Sequence, residues 1–163
     1  MRCNIRVGRM AMFLVLAVGI AGCTGTRHKD RFRWDQIVTS VIKQKETTGD
    51  PTFLDVRRVM PFGWEALYIF PPHTPIDHIE RTLGFKWRKA KDTRIDERDD
   101  ITLLVFITGQ TVHEYVEHPR NKGDFSMLRA AYPYTGDEAY FEVVIKKDAG
   151  KTWFVFEETQ RPR

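Results

Sequence analysis

Between residues 32 and 46 the apolar side chains Trp34, Ile37, Val38, Val41 and Ile42 recur at i, i+3, i+4, i+7 and i+8. That spacing draws one stripe along an amphipathic helix, and Gly49 and Pro51 in TTGDP end it. A second helix is predicted in HTPIDHIERTLGF, with Thr74 as N-cap, Pro75 in its first turn, Ile76, Ile79 and Leu83 as its apolar face, and Gly84 at its end. Alternation then takes over: EALYIF ends a strand at Phe70, and residues 101–107 and 111–118 form a hairpin about Thr108-Gly109-Gln110. AYFEVVIK and TWFVFEE flank KDAGK and make a second hairpin with Gly150 in its turn. ITLLVFI is apolar on both faces, which places it centrally in a sheet. The fold class expected is α+β, an antiparallel sheet of about five strands with two helices packed on one face. Residues 88–100, RKAKDTRIDERDD, read as a charged surface loop.

The first 22 residues follow a different logic. Arg2, Arg6 and Arg9 precede an apolar run of 12 residues from 11 to 22, with no acidic residue among them. A helix needs about 20 apolar residues to span a bilayer, so this reads as an export signal that is removed. Ile20-Ala21-Gly22-Cys23 resembles the lipobox of bacterial lipoproteins. The resemblance, which covers residues 1–23, implies cleavage before Cys23, diacylglycerol on its thiol and a further acyl chain such as palmitate on the new amine. Several chains hold a protein to a membrane where a single one does not. By the same family rule, Thr24 directs a Gram-negative lipoprotein to the outer membrane, facing the periplasm; in a single-membrane host the location is the outer face of the cell membrane. The organisation expected is a signal at 1–22, a lipidated tether at 23–31, and one α+β domain at 32–163.

Removal of the signal changes the charge. Three of the 26 basic residues leave, so 23 stand against 22 acidic ones and the net charge drops from +4 to +1. Non-specific nucleic-acid binding needs a dense basic field, and nucleic acid is therefore excluded as a partner. Of the two cysteines, Cys3 departs and Cys23 is acylated, which leaves no disulfide. The domain must then rest on its core, for which 11 Phe, 5 Tyr and 4 Trp supply apolar area.

Candidate chemistry is sparse. HEYVEH at residues 113–118 has histidines at i and i+5, not the i and i+4 of a zinc-hydrolase helix. On a strand, alternation sends His113 and His118 to opposite faces. His73, His78 or His113 with Glu114 or Glu117 defines a metal-dependent hydrolase as one alternative reading. Ser40 and Ser126 lie in no nucleophile elbow, the acidic run Asp96, Glu97, Asp99 and Asp100 lacks the glycine of a calcium loop, and no phosphate loop occurs. No metal, cofactor or catalytic residue is assigned. Two aromatic and proline-rich stretches remain, residues 60–75 and 118–134, rimmed by Arg120, Lys122 and Arg129. Trp, Tyr and Arg carry interface energy, so Trp64, Tyr68, His73, His113 and Arg120 are the binding residues expected. The segments GWEALYIFPPHTP, LGFKW, LLVFI and HPRNKGDF also resemble, loosely, small exported bacterial lipoproteins with no assigned function. The favoured reading is a non-enzymatic binding or accessory module of the cell envelope, held to membrane lipid by its N-terminus and engaging an envelope protein. A periplasmic inhibitor or immunity protein is the other alternative.

Overall fold

The structure is a computed structural model that describes residues 26–162, with side chains from Trp34 onward. Helix α1 spans Thr26–Thr48, followed by strand β1 (Phe53–Asp55) and the short helix α2 (Val56–Val59). Strand β2 (Ala66–Phe70) leads to helices α3 (Ile76–Leu83) and α4 (Ala90–Thr93). Strands β3 (Ile101–Thr108) and β4 (Thr111–Pro119) form the first hairpin, β5 (Tyr140–Asp148) and β6 (Lys151–Glu158) the second.

The fold is α+β, as expected, but its strands divide. They form two antiparallel sheets, ordered β2-β3-β4 and β1-β5-β6, instead of one sheet of about five. Two hairpins in one chain look identical whether they join edge to edge or face to face. Here they share a core: Leu67, Ile69, Leu104, Phe106 and Val116 of the first sheet pack with Leu54, Phe141, Val143 and Phe156 of the second. The other face of β2-β3-β4 carries a second core, in which Phe70, Leu103, Val105 and Ile107 meet Ile79, Leu83, Trp87, Ala90 and Ile95. Strand β3 is thus apolar on both faces because both are covered.

The helices also part company. Helix α1 sets Trp34 and Val38 into the core shared by the sheets, whereas α3 and α4 cover the opposite face of β2-β3-β4. The expectation of two helices on one face is therefore corrected. Each amphipathic stripe specifies that a face is buried without specifying which sheet buries it. Helix α1 also begins at Thr26, inside the stretch read as a tether. Within residues 88–100, expected to be a surface loop, α4 buries Ala90 and Thr93, and Ile95 is buried beyond it. The charges of that stretch surround a plug for the second core. Thr74 does not cap α3: its hydroxyl donates to the Pro71 carbonyl at 2.5 Å, and the cap position is Pro75. Gly84 does end α3, at φ 78°.

Residues 123–139 tie the two sheets together. The Asp124 N–H donates to the Phe154 carbonyl at 2.8 Å, and the Asp124 carbonyl accepts from Phe156 at 2.9 Å. Ten residues on, Tyr134 and Leu67 exchange both backbone bonds, at 2.8 and 2.9 Å. The segment therefore closes the open edge of β6 and then that of β2, where bare edges invite pairing with other chains. Between these contacts Phe125 drops into the core and stacks on Phe156, with ring centroids 4.0 Å apart. Gly123 starts the segment at φ 115°, and a Cβ there would lie 2.7 Å from the Phe156 ring and 2.9 Å from Ile42. Gly109, in the β3–β4 turn, also has positive φ but open space around it. Gly123→Ala is expected to cost about 2–4 kcal/mol in urea unfolding, and Gly109→Ala only about 1 kcal/mol, since the first adds overpacking to backbone strain.

Candidate functional site

The Leu67–Tyr134 bridge brings the two aromatic stretches onto one side of the molecule. Arg57, Phe62, Gly63, Trp64, Gly136 and Asp137 line a groove of about 420 Å³. Asp137 is shared with a second groove of about 680 Å³, walled by Arg129, Tyr134, Glu138, Glu158 and Arg161. Within residues 123–139, Met127 is 81% and Tyr132 61% exposed. A connection this long inside a small domain is commonly functional, and its two sheet contacts hold these side chains on a fixed base.

The groove floor is organised by paired charges. Tyr134 donates to Glu158 at 2.6 Å and accepts from the Arg129 N–H at 3.0 Å. Burial, and then the neighbouring Glu158, push the Tyr134 phenol well above its usual range. The Arg129 guanidinium lies 4.1 Å from the Tyr134 ring centre and 5.2 Å from that of Tyr132, and it pairs with Glu138 at 3.2 Å. Arg161 grips Asp55 through two nitrogens, at 2.6 and 2.9 Å, while Arg57 meets Asp137 at the surface. Asp55 also accepts from the Arg58 N–H and so caps α2. These cations are balanced by carboxylates, so the groove offers a mixed polar and aromatic surface with no net field of one sign.

Two of the expected binding residues belong to this side. Trp64 lies in the first groove, edge-on to Phe106 at 5.6 Å, and His113 packs on Phe62 at 4.8 Å. The others are elsewhere. Tyr68 faces the second core and stacks on Phe70. His73 is exposed before α3, with φ 60°, and lines a separate groove with Asp77, Lys91 and Arg94. Arg120 is engaged by Asp124 at 2.8 and 3.1 Å and by the Asp99 carbonyl, and so positions the start of residues 123–139. Cys23 lies outside the described residues. Arg57, Asp137 and Arg161 carry no sequence signal as single residues, whereas Met127 and Tyr132 lie within the stretch 118–134 marked by its aromatics.

The histidines of the hydrolase reading are not assembled. His73 and His78 lie on the α3 side, while His113 lies against Phe62, which packs on the core between the sheets. Among the described residues no three His, Cys, Asp or Glu side chains are placed to hold a metal ion. Glu114 accepts from the Tyr115 N–H, and Glu117 pairs with Arg98 at 3.0 Å. Strict alternation along β4 is also broken: Phe106 pairs with Glu114 and Ile107 with Val112, which leaves His113 as the extra residue of a bulge. The bulge turns His113 toward Phe62, which packs on the core shared by the sheets where His118 also lies, so the opposite-face expectation for His113 and His118 is corrected.

His118 is fully buried. Its Nδ1 accepts from the Trp34 indole N–H at 3.1 Å, and its Nε2 lies 2.9 Å from the Gly123 carbonyl. Indole only donates and a carbonyl only accepts, so the ring is neutral with its proton on Nε2. Burial holds its pKa down, at about 4. This group supports the fold and does not reach the groove. No family model, curated protein or solved structure matches the chain.

Two predictions follow from these contacts. Met127→Ala and Tyr132→Ala are expected to change stability by less than about 0.5 kcal/mol, whereas Tyr134→Phe, which strips bonds from Glu158 and Arg129, costs about 1–2 kcal/mol in urea unfolding. For His118, the unfolded chain binds a proton near pH 6.5 and the folded chain only near 4. Its contribution is complete above pH 6.5 and declines as pH falls to 4, by on the order of 3 kcal/mol. Urea midpoints measured across that interval should steepen by about one proton relative to His118→Gln.

Proposed function

We propose that this chain is an exported lipoprotein, anchored through acylated Cys23, whose domain is a binding or accessory module for a protein partner in the cell envelope. One observation carries the binding reading: the aromatic segments meet at Leu67–Tyr134, where Trp64 and Arg57 line a groove and Arg129 lies over the exposed Tyr132, with Met127 exposed on the same braced segment. Aromatic, methionine and arginine side chains are those enriched in protein interfaces. The anchor rests on Ile20-Ala21-Gly22-Cys23. Among the described residues no helix is long and apolar enough to cross a membrane, so acyl chains would supply the attachment.

The anchor is tested by the intact mass of protein purified from its native membrane fraction. A mass equal to residues 23–163 plus acyl chains, with Cys23→Ser left uncleaved, is the expected result; an unacylated wild type in the soluble fraction rejects the anchor. The surface is tested by photo-crosslinkers at positions 127, 132 and 81 in the native envelope, position 81 lying on α3. A discrete adduct from 127 or 132 but not from 81 is expected. Equal labelling at all three, or none, rejects this surface, and the identity of the adduct separates an accessory module from an inhibitor or immunity protein.

A further inference from the structure

We propose that Trp34 and His118 form an acid-released latch for α1, so that acidification frees this helix while the two sheets stay folded. The geometry is asymmetric in a way that selects the helix. A proton added to His118 goes to Nδ1, because Nε2 already carries one toward the Gly123 carbonyl, 2.9 Å away. The new N–H then faces the Trp34 indole N–H across 3.1 Å. Two donors confront each other with no lone pair between them, whereas the Gly123 bond survives. The bond that fails is therefore the one to α1, and water reaches the charged ring only when Trp34 withdraws.

The surroundings do little to resist this. Among the described residues the charged side chains facing His118 are Asp35 on α1 and Lys122 in the turn after β4; they pair at 3.7 Å, both partly exposed, and draw the ring in opposite directions, while the Lys122 backbone carbonyl, like that of Gly123, favours the charged ring without reaching α1. The nearby Arg120 and Asp124 neutralise each other, and Phe125, edge-on at 5.1 Å, provides no acceptor. Once Trp34 leaves, α1 retains Val38 in the core and the partly buried Ile37, Val41 and Ile42. It shares no strand pairing with either sheet, and Gly49, at φ 72°, gives it a hinge before β1. The sheets keep their own ladders and the ties made by Asp124 and Tyr134. The latch is independent of acylation at Cys23.

Hydrogen exchange of the full chain in detergent micelles, expressed as protection factors between pH 7 and 4.5, tests the latch. Peptides within residues 34–48 should lose protection at least tenfold relative to those of β3, and the Trp34 indole signal should change in step with the His118 ring ¹⁵N titration. In His118→Gln, which has no imidazole to protonate, the relative loss should vanish. Should that variant fail to fold, the wild-type comparison of α1 with β3 and the Trp34–His118 concordance still decide. Equal loss in α1 and β3, unchanged α1 protection through the His118 titration, or the same relative loss in His118→Gln would each overturn the proposal.

Discussion

Two sheets of three strands can share a core only if something holds them face to face, and here that constraint is met by residues 123–139. Asp124 pairs with β6, Tyr134 pairs with β2, and Phe125 fills the space between. Each tie is a pair of backbone bonds or a buried ring, and each sits at a sheet edge that would otherwise expose unpaired groups. The consequence reaches beyond the core. A segment pinned at both ends presents Met127, Arg129 and Tyr132 in a defined arrangement, so the brace and the candidate binding surface are the same stretch of chain.

Helix α1 is secured by a different kind of interaction. Its apolar stripe supplies area, and among the described residues its side-chain hydrogen bond to the sheets is the indole bond to a buried, neutral imidazole. A buried polar pair specifies one seating more sharply than apolar packing can, because a misplaced helix would leave both groups without partners. It also makes the seating depend on a protonation state. Gly123 joins the two systems: its carbonyl holds the His118 tautomer, and its missing side chain lets Phe156 and Ile42 close against the start of the brace.

Much of the secondary structure was legible in the sequence, and little of the site was. The stripe from Trp34 to Ile42, the two hairpins, the double-sided apolar run of β3 and the Gly84 terminus all express local periodicity or backbone freedom, which are properties of neighbouring residues. Strand β1 has three residues and α2 four, too short for any period to register. Trp64, singled out within an aromatic stretch, and His113, singled out in HEYVEH, both fall on the candidate side. Tyr68 faces the second core, since composition does not say which face of β2 points outward, and the pairing of Arg120 with Asp124 shows only once the turn is formed.

By itself the sequence determined the α1 stripe, the two hairpins, the end of α3 at Gly84, that β3 is covered twice, and that residues 26–163 hold no cysteine to form a disulfide; residues 20–23 resemble a lipobox. Tertiary structure alone decided that the hairpins stack into two sheets, that α1 and α3 lie on different cores, that a bulge at His113 reverses its direction, and that Asp137 joins a groove lined by Arg57 to one walled by Arg161. Periodicity records whether a side chain is buried, through the solvent preference of each residue. It does not record what does the burying, because that partner lies tens of residues away, and the choice among partners is made by shape and hydrogen bonding only when the chain closes on itself.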